Sequence, residues 1–189
     1  MRYVLRRTVN KSLVAGMIQR AARILIKFKE VSMGYTHYWS HDAKLNGRRL
    51  YSALNDCRKI VDEVQRRGVI LRGGLGEGEP QVSEGIWLNG DGEDSHDTFG
   101  FPLTGKVSED ATRLHGCFWD FCKTVRKPYD LAVCAILLVL KHHLGSQIRI
   151  SSDGGREPEE WIPAEELVKE VLGYEVMFRQ EETLTKVQV

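Results

Sequence analysis

The sequence predicts an α+β fold: a mostly antiparallel or mixed sheet of about five strands, with about three helices packed on it, in a single domain. Three observations lead there. Several strand-like runs follow one another, segments of helical period flank them, and neither an internal repeat nor a linker divides residues 33–178. At 189 residues the chain is long enough for one well-buried core and too short for two.

Tyr35 to Ser40 alternates aromatic and polar residues and reads as a strand, with Tyr35, His37 and Trp39 on one face and Thr36 and Tyr38 on the other. A helix is expected over about Leu45 to Arg67, where Leu50, Leu54, Cys57, Val61 and Val64 form one apolar stripe and Gly68 caps the end. Val69-Ile70-Leu71 is a short strand that runs into Gly73–Gly78. That glycine-rich stretch lacks the Gly-Lys-Ser/Thr of a phosphate loop and reads as a connector. Ile86-Trp87-Leu88 is a further strand, Asn89-Gly90 a hairpin turn, and His96 to Phe101 its partner strand.

Cys117 to Thr124 is an aromatic strand with Phe118, Asp120 and Cys122 on one face. Pro128 opens a helix over about Tyr129 to Leu144, apolar almost all round and therefore central. Gln147 to Ser151 makes a strand, Asp153-Gly154-Gly155 a turn, and Pro163 to Leu172 a last helix stopped by Gly173. Residues 179–189 read as a frayed polar tail.

Formal net charge is +1, but its distribution is uneven. Residues 1–32 hold eight Lys or Arg against one acid, so residues 33–189 hold 19 cations against 25 anions, a net of −6. An acidic body argues against an extended nucleic-acid surface, which wants a basic face. The basic head (1–32) is amphipathic and suits either a targeting segment or an extension upstream of a start at Met33. A cytoplasmic setting is expected, or a mitochondrial one if residues 1–32 target the chain. Cys57, Cys117, Cys122 and Cys134 form no C-x-x-C pair, which favours free thiols in a reducing compartment. No run approaches the ~18 apolar residues that a membrane span requires.

The stretch from Phe121 to Asp130 is the most informative part of the chain. Lys123, Arg126 and Lys127 fall between the aromatic strand and the N-terminus of the central helix, where unpartnered N–H groups favour an anion. Arg126 suits bidentate recognition of phosphate or carboxylate, and the lysines act as point charges. Tyr129, Tyr35 and Trp39 are candidates to contact the rest of such a ligand. His37 adds a titratable group among these aromatics. Cys122, beside Lys123 and close to Arg126, is a candidate nucleophile because neighbouring cations favour a thiolate. Asp91, Glu93, Asp94, His96 and Asp97 could collect a hard cation, although their spacing is not that of an EF-hand and a solvated acidic turn explains them as well.

Met33-Gly34-Tyr35-Thr36-His37-Tyr38-Trp39, Ile86–Gly90, Phe121-Cys122-Lys123-Thr124 with Arg126–Asp130, and Ser152-Asp153-Gly154 with Trp161 together resemble an uncharacterised family of small proteins from fungal and phage or bacterial genomes. The resemblance runs from Met33 to about Gly173 and implies a true start at Met33. It implies no activity, so no residue role is carried over.

Three functional readings follow. The first is a domain that binds a small anionic ligand, a nucleotide among the candidates, near Lys123–Asp130. The second is a metal-assisted hydrolase or transferase using His37 or Cys122 with the 91–97 loop. The third is a protein-interaction module presenting exposed aromatics near Tyr35–Trp39. The sequence names no cofactor.

Overall fold

A computed structural model describes residues 34–102, 112–114, 117–155 and 160–181, and both expectations for the basic head lie outside them. Three helices and two small antiparallel sheets make an α+β domain. The strands are β1 (Thr36–Asp42), β2 (Leu71–Arg72), β3 (Gln81–Val82), β4 (Gly85–Gly90), β5 (Phe99–Pro102), β6 (Thr112–Leu114), β7 (Cys117–Lys123) and β8 (Ile148–Ser152). The helices are α1 (Gly47–Arg66), α2 (Asp130–Leu144) and α3 (Ile162–Leu172).

The first sheet runs β6-β7-β1-β8, so the aromatic strand β1 lies between partners drawn from far along the chain. Its register sets His37 opposite Cys122 of β7 and opposite Ser152 of β8. Directly opposed residues share a face, so Ser152 arrives beside the His37 ring. Further along the same face, Trp39 packs on Phe99 and His41 lies between Phe101 and Phe118.

The second sheet is built on β4, which pairs with β2 at Asn89 and Gly90 and with β3 and β5 nearer its start. Asn89-Gly90 is therefore not the turn its dipeptide announces. Both residues are strand, and the Asn89 amide clamps the loop beyond: Oδ1 accepts from the Gly90 and His96 N–H groups at 2.8 and 3.0 Å, and Nδ2 donates to the His96 carbonyl at 2.8 Å. The reversal falls on the short 3₁₀ turn at Gly92–Asp94, and the partner strand begins at Phe99 rather than His96. Strands β3 and β6, of two and three residues, are too short to leave a period in the sequence.

Asn46 caps α1, its side chain accepting from the Arg49 N–H at 3.1 Å. The expected stripe is buried from Leu50 to Val64. Helix α2 packs on α1, α3 and β8, which is why it is apolar on nearly every side. No helix of the described residues is long and apolar enough to cross a membrane.

The expected frayed tail departs from the structure at its start. The Glu181 N–H donates to the Ile150 carbonyl at 3.0 Å, and the Gln180 side chain both donates to and accepts from the Ser152 backbone. An outer strand edge needs partners for its backbone groups, and residues 180 and 181 supply them.

Candidate functional site

Between β7 and α2 the chain turns over Thr124-Val125-Arg126-Lys127. Val125 and Arg126 both adopt positive φ, 53° and 54°, without being glycine or asparagine. The Lys127 N–H closes the turn on the Thr124 carbonyl at 3.0 Å, while the Thr124 and Val125 N–H groups both reach the Tyr35 carbonyl. Two successive left-handed residues cost about 1–3 kcal/mol each, and a β-branched side chain is among the least suited. The turn lays the Arg126 guanidinium over the Tyr35 ring at 3.9 Å and brings Asp130 to the first position of α2.

Below this turn lies a buried polar cluster. His37 Nε2 meets Asp130 Oδ1 at 2.7 Å, and His37 Nδ1 meets Ser152 Oγ at 3.1 Å. Cys134 Sγ, one turn along α2 from Asp130, is 3.5 Å from His37 Nε2 and 3.8 Å from Asp130 Oδ2. The Thr124 hydroxyl donates to Asp130 Oδ1 at 2.5 Å. The rings of Tyr35 and Trp161 meet the imidazole edge-on and complete its enclosure. One proton arrangement is consistent with the oxygen contacts: Ser152 donates to Nδ1, Nε2–H and Thr124 both donate to Asp130 Oδ1, and the Cys134 thiol donates to Oδ2. Asp130 stands at the first position of α2, beside the positive end of the helix dipole. Burial, then the Asp130 charge, pushes the Cys134 thiol well above its ordinary value.

A pocket of about 210 Å³ opens over the cluster, lined by Tyr35, Arg126, Lys127, Asp130, Leu131 and Glu160 among others. Asp130 belongs to both cluster and pocket. Arg126 Nη2 pairs with Glu160 Oε1 at 2.6 Å, and Lys127 Nζ donates to the Glu93 carbonyl at 2.6 Å. The second Glu160 oxygen, Oε2, is buried with no hydrogen-bond partner among the described residues. Gly154 passes so close that a Cβ there would lie 2.2 Å from that oxygen and 2.4 Å from the Tyr35 ring. Positive charge ahead of α2 is thus partly met from within the chain: Asp130 stands at the first position of the helix and Glu160 pairs with Arg126.

Of the residues singled out in the sequence, Tyr35, Arg126 and Lys127 line the pocket, and His37 lies beneath it behind Asp130. The others lie elsewhere. Lys123 is not in the pocket wall, and its N–H donates to Asp97 Oδ2. Tyr129 is fully buried, with its hydroxyl on the Asp97 carbonyl at 2.8 Å. Tyr35 and Trp39 are each 1% exposed, so they offer no interaction surface; on the opposite face of this sheet the half-buried Tyr38 ring stacks on Trp119, which meets Phe121 at a tilt.

Cys122 is buried with its Sγ 3.4 Å from the Asp97 carbonyl, and burial pushes its thiol well up, the reverse of what a nucleophile needs. Nor do the acids of the 91–97 loop converge. Asp91 pairs with Arg72 at 2.6 Å, Asp97 takes His96 Nδ1 and the Lys123 N–H, and Glu93 and Asp94 are exposed on the 3₁₀ turn and join no cluster of potential ligands among the described residues.

Asp130, Cys134, Ser152 and Thr124 escaped selection in the sequence. Only the i, i+4 spacing of Asp130 and Cys134, which puts both on one helix face, could have singled out part of the set.

Comparison with protein-family models, curated proteins and solved structures found no match to this chain.

Proposed function

We propose that this chain binds a small anionic ligand, a nucleotide among the candidates, in the pocket over Asp130, with Arg126 and Lys127 as its anchors. The observation that carries this reading is the strained pair Val125-Arg126. Backbone strain at non-glycine residues persists where the surrounding structure enforces it, and such sites cluster at ligand clamps. Here its effect is to hold Arg126 against the Tyr35 ring at the pocket mouth. Glu160 is then a resident stand-in for the ligand's anion. Its Oε2 has no hydrogen-bond partner among the described residues, so the Arg126–Glu160 pair is a one-oxygen contact with which a bidentate phosphate or carboxylate would compete. The four free cysteines fit a reducing, cytoplasmic setting for this activity.

Calorimetric titration with inorganic phosphate, nucleotides and dicarboxylates tests the reading. Binding should vanish in Arg126→Ala and strengthen in Glu160→Gln, which removes the internal competitor. Absence of any response in the wild-type chain, or an unchanged response in Arg126→Ala, would discard it.

A second reading, hydrolase or transferase, is favoured by the Ser152–His37–Asp130 chain of hydrogen bonds. Asp130 is the member that reaches the pocket, so it would take the substrate's proton while His37 orients it from behind. A screen of esters and phosphoesters in which His37→Gln turns over substrate as fast as wild type counts against it.

A further inference from the structure

We infer that His37 Nε2, Asp130 and Cys134 Sγ form the protein half of a tetrahedral site for a divalent transition ion of the zinc type, with the fourth position open to the pocket. These three residues are the group of potential ligands that the described residues bring within 4.8 Å of one another. Zinc bonds of about 2.0–2.1 Å to nitrogen and about 2.3 Å to sulfur set the tetrahedral N···S separation near 3.5 Å and the O···S separation near 3.6 Å. The chain holds Nε2 and Sγ at 3.5 Å, and Sγ and Asp130 Oδ2 at 3.8 Å, before any ion enters. With Oδ2 as the ligand atom, the 2.7 Å hydrogen bond of Nε2 with Oδ1 is given up when the ion binds, and Thr124 keeps Oδ1.

The surroundings also fit. A ligating imidazole needs its other nitrogen fixed by a hydrogen bond, and Ser152 Oγ stands 3.1 Å from Nδ1. Thr124 steadies the carboxylate in the same way. Thiolate with imidazole selects zinc-like ions over magnesium or calcium, which prefer oxygen. Asp130, lining the pocket, marks the entry route and the direction of the open position. Three protein ligands with one vacant vertex is the arrangement that lets a metal act on a bound molecule.

On binding, the Cys134 thiol proton leaves to solvent. His37 keeps its single proton, which moves from Nε2 to Nδ1 and is donated to Ser152. The site is separate from the anion anchors, since Arg126 and Lys127 ligate nothing. It replaces proton transfer through the cluster with Lewis-acid polarisation of whatever occupies the pocket.

Titration of the metal-free full chain with Co²⁺ tests this. The expected result is an intense visible spectrum of a tetrahedral ion with a thiolate-to-cobalt charge-transfer band, saturating at equimolar metal and erased by Zn²⁺. The band should survive in Cys117→Ala and Cys122→Ala, disappear in Cys134→Ala, and require about 10- to 100-fold more metal in Ser152→Ala. If Cys134→Ala fails to fold, the wild-type spectrum with the two retained-band variants and a Cys57→Ala chain, which should also keep the band, decides the matter. A spectrum without a thiolate band, or a band retained in a folded Cys134→Ala chain, overturns the inference whether or not phosphate binds at Arg126.

Discussion

His37 and Asp130, 93 residues apart in the chain, meet side chain to side chain at 2.7 Å. Their side chains are 0% and 14% exposed, so water can replace little of what either loses. Asp130→Ala strands the imidazole N–H and the Thr124 hydroxyl together, and is expected to lower unfolding free energy by about 2–4 kcal/mol. Urea denaturation of Asp130→Ala, His37→Ala and the double variant checks this. Coupling of about 0.5–3 kcal/mol is expected between the two sites, and strict additivity would show that the contact contributes nothing of its own.

Val125 gives the opposite sign. At φ 53° its β-branched side chain sits where asparagine or glycine is at ease. Val125→Asn is expected to raise stability by about 1 kcal/mol, read as a higher urea midpoint at unchanged slope. A lower midpoint would mean that the half-buried Val125 side chain contributes more through packing than its backbone loses.

Period and composition made much of the fold legible. The stripe Leu50–Val64, the strand at β1 and the all-round apolar surface of α2 each reach the structure, although β1 buries Thr36 and Ser40 as well as His37 and Trp39. Asn89-Gly90 misleads because a local turn preference yields to the pairing of β4 with β2 and to the amide clamp on His96. The site was legible only in part. Arg126 and Lys127 announce themselves by charge, but Ser152 meets His37 only through the register of two strands more than a hundred residues apart, which no local pattern encodes. Trp39 fails as a ligand contact because the face it shares with His37 turns into the core beneath Phe99. Nothing in Thr124-Val125-Arg126-Lys127 signals a left-handed turn, since the residues that normally mark one are missing.

Acidification should weaken the fold through His41. Burial between Phe101 and Phe118 holds its pKa below the ordinary 6.5, outweighing the hydrogen bond to the Asp42 carbonyl. As pH falls through about 6.5 the unfolded chain takes up a proton that the folded chain refuses, so stability drops until the lower folded value is reached. His142, shifted the same way by burial and by His143, adds to the slope. Urea midpoints should fall between about pH 7.5 and about pH 5.5, and fall less in His41→Gln. A His41→Gln profile as steep as wild type would remove His41 from the account.

Thiol labelling tests Cys122, the thiol that the sequence offered for covalent chemistry. Cys57, Cys122 and Cys134 are at most 1% exposed, whereas Cys117 lies half-buried at the start of β7. Access is one barrier and ionisation a second: burial pushes the Cys57, Cys122 and Cys134 thiols up, leaving almost no thiolate near neutral pH. Brief exposure of the native, metal-free chain to an alkylating reagent, followed by mass spectrometry, should therefore modify Cys117 alone, and all four cysteines in urea. Rapid native labelling of Cys122 would show a thiolate that the closed structure does not permit and would restore it as a nucleophile. Labelling confined to Cys117 instead removes Cys122 as a nucleophile in the native chain.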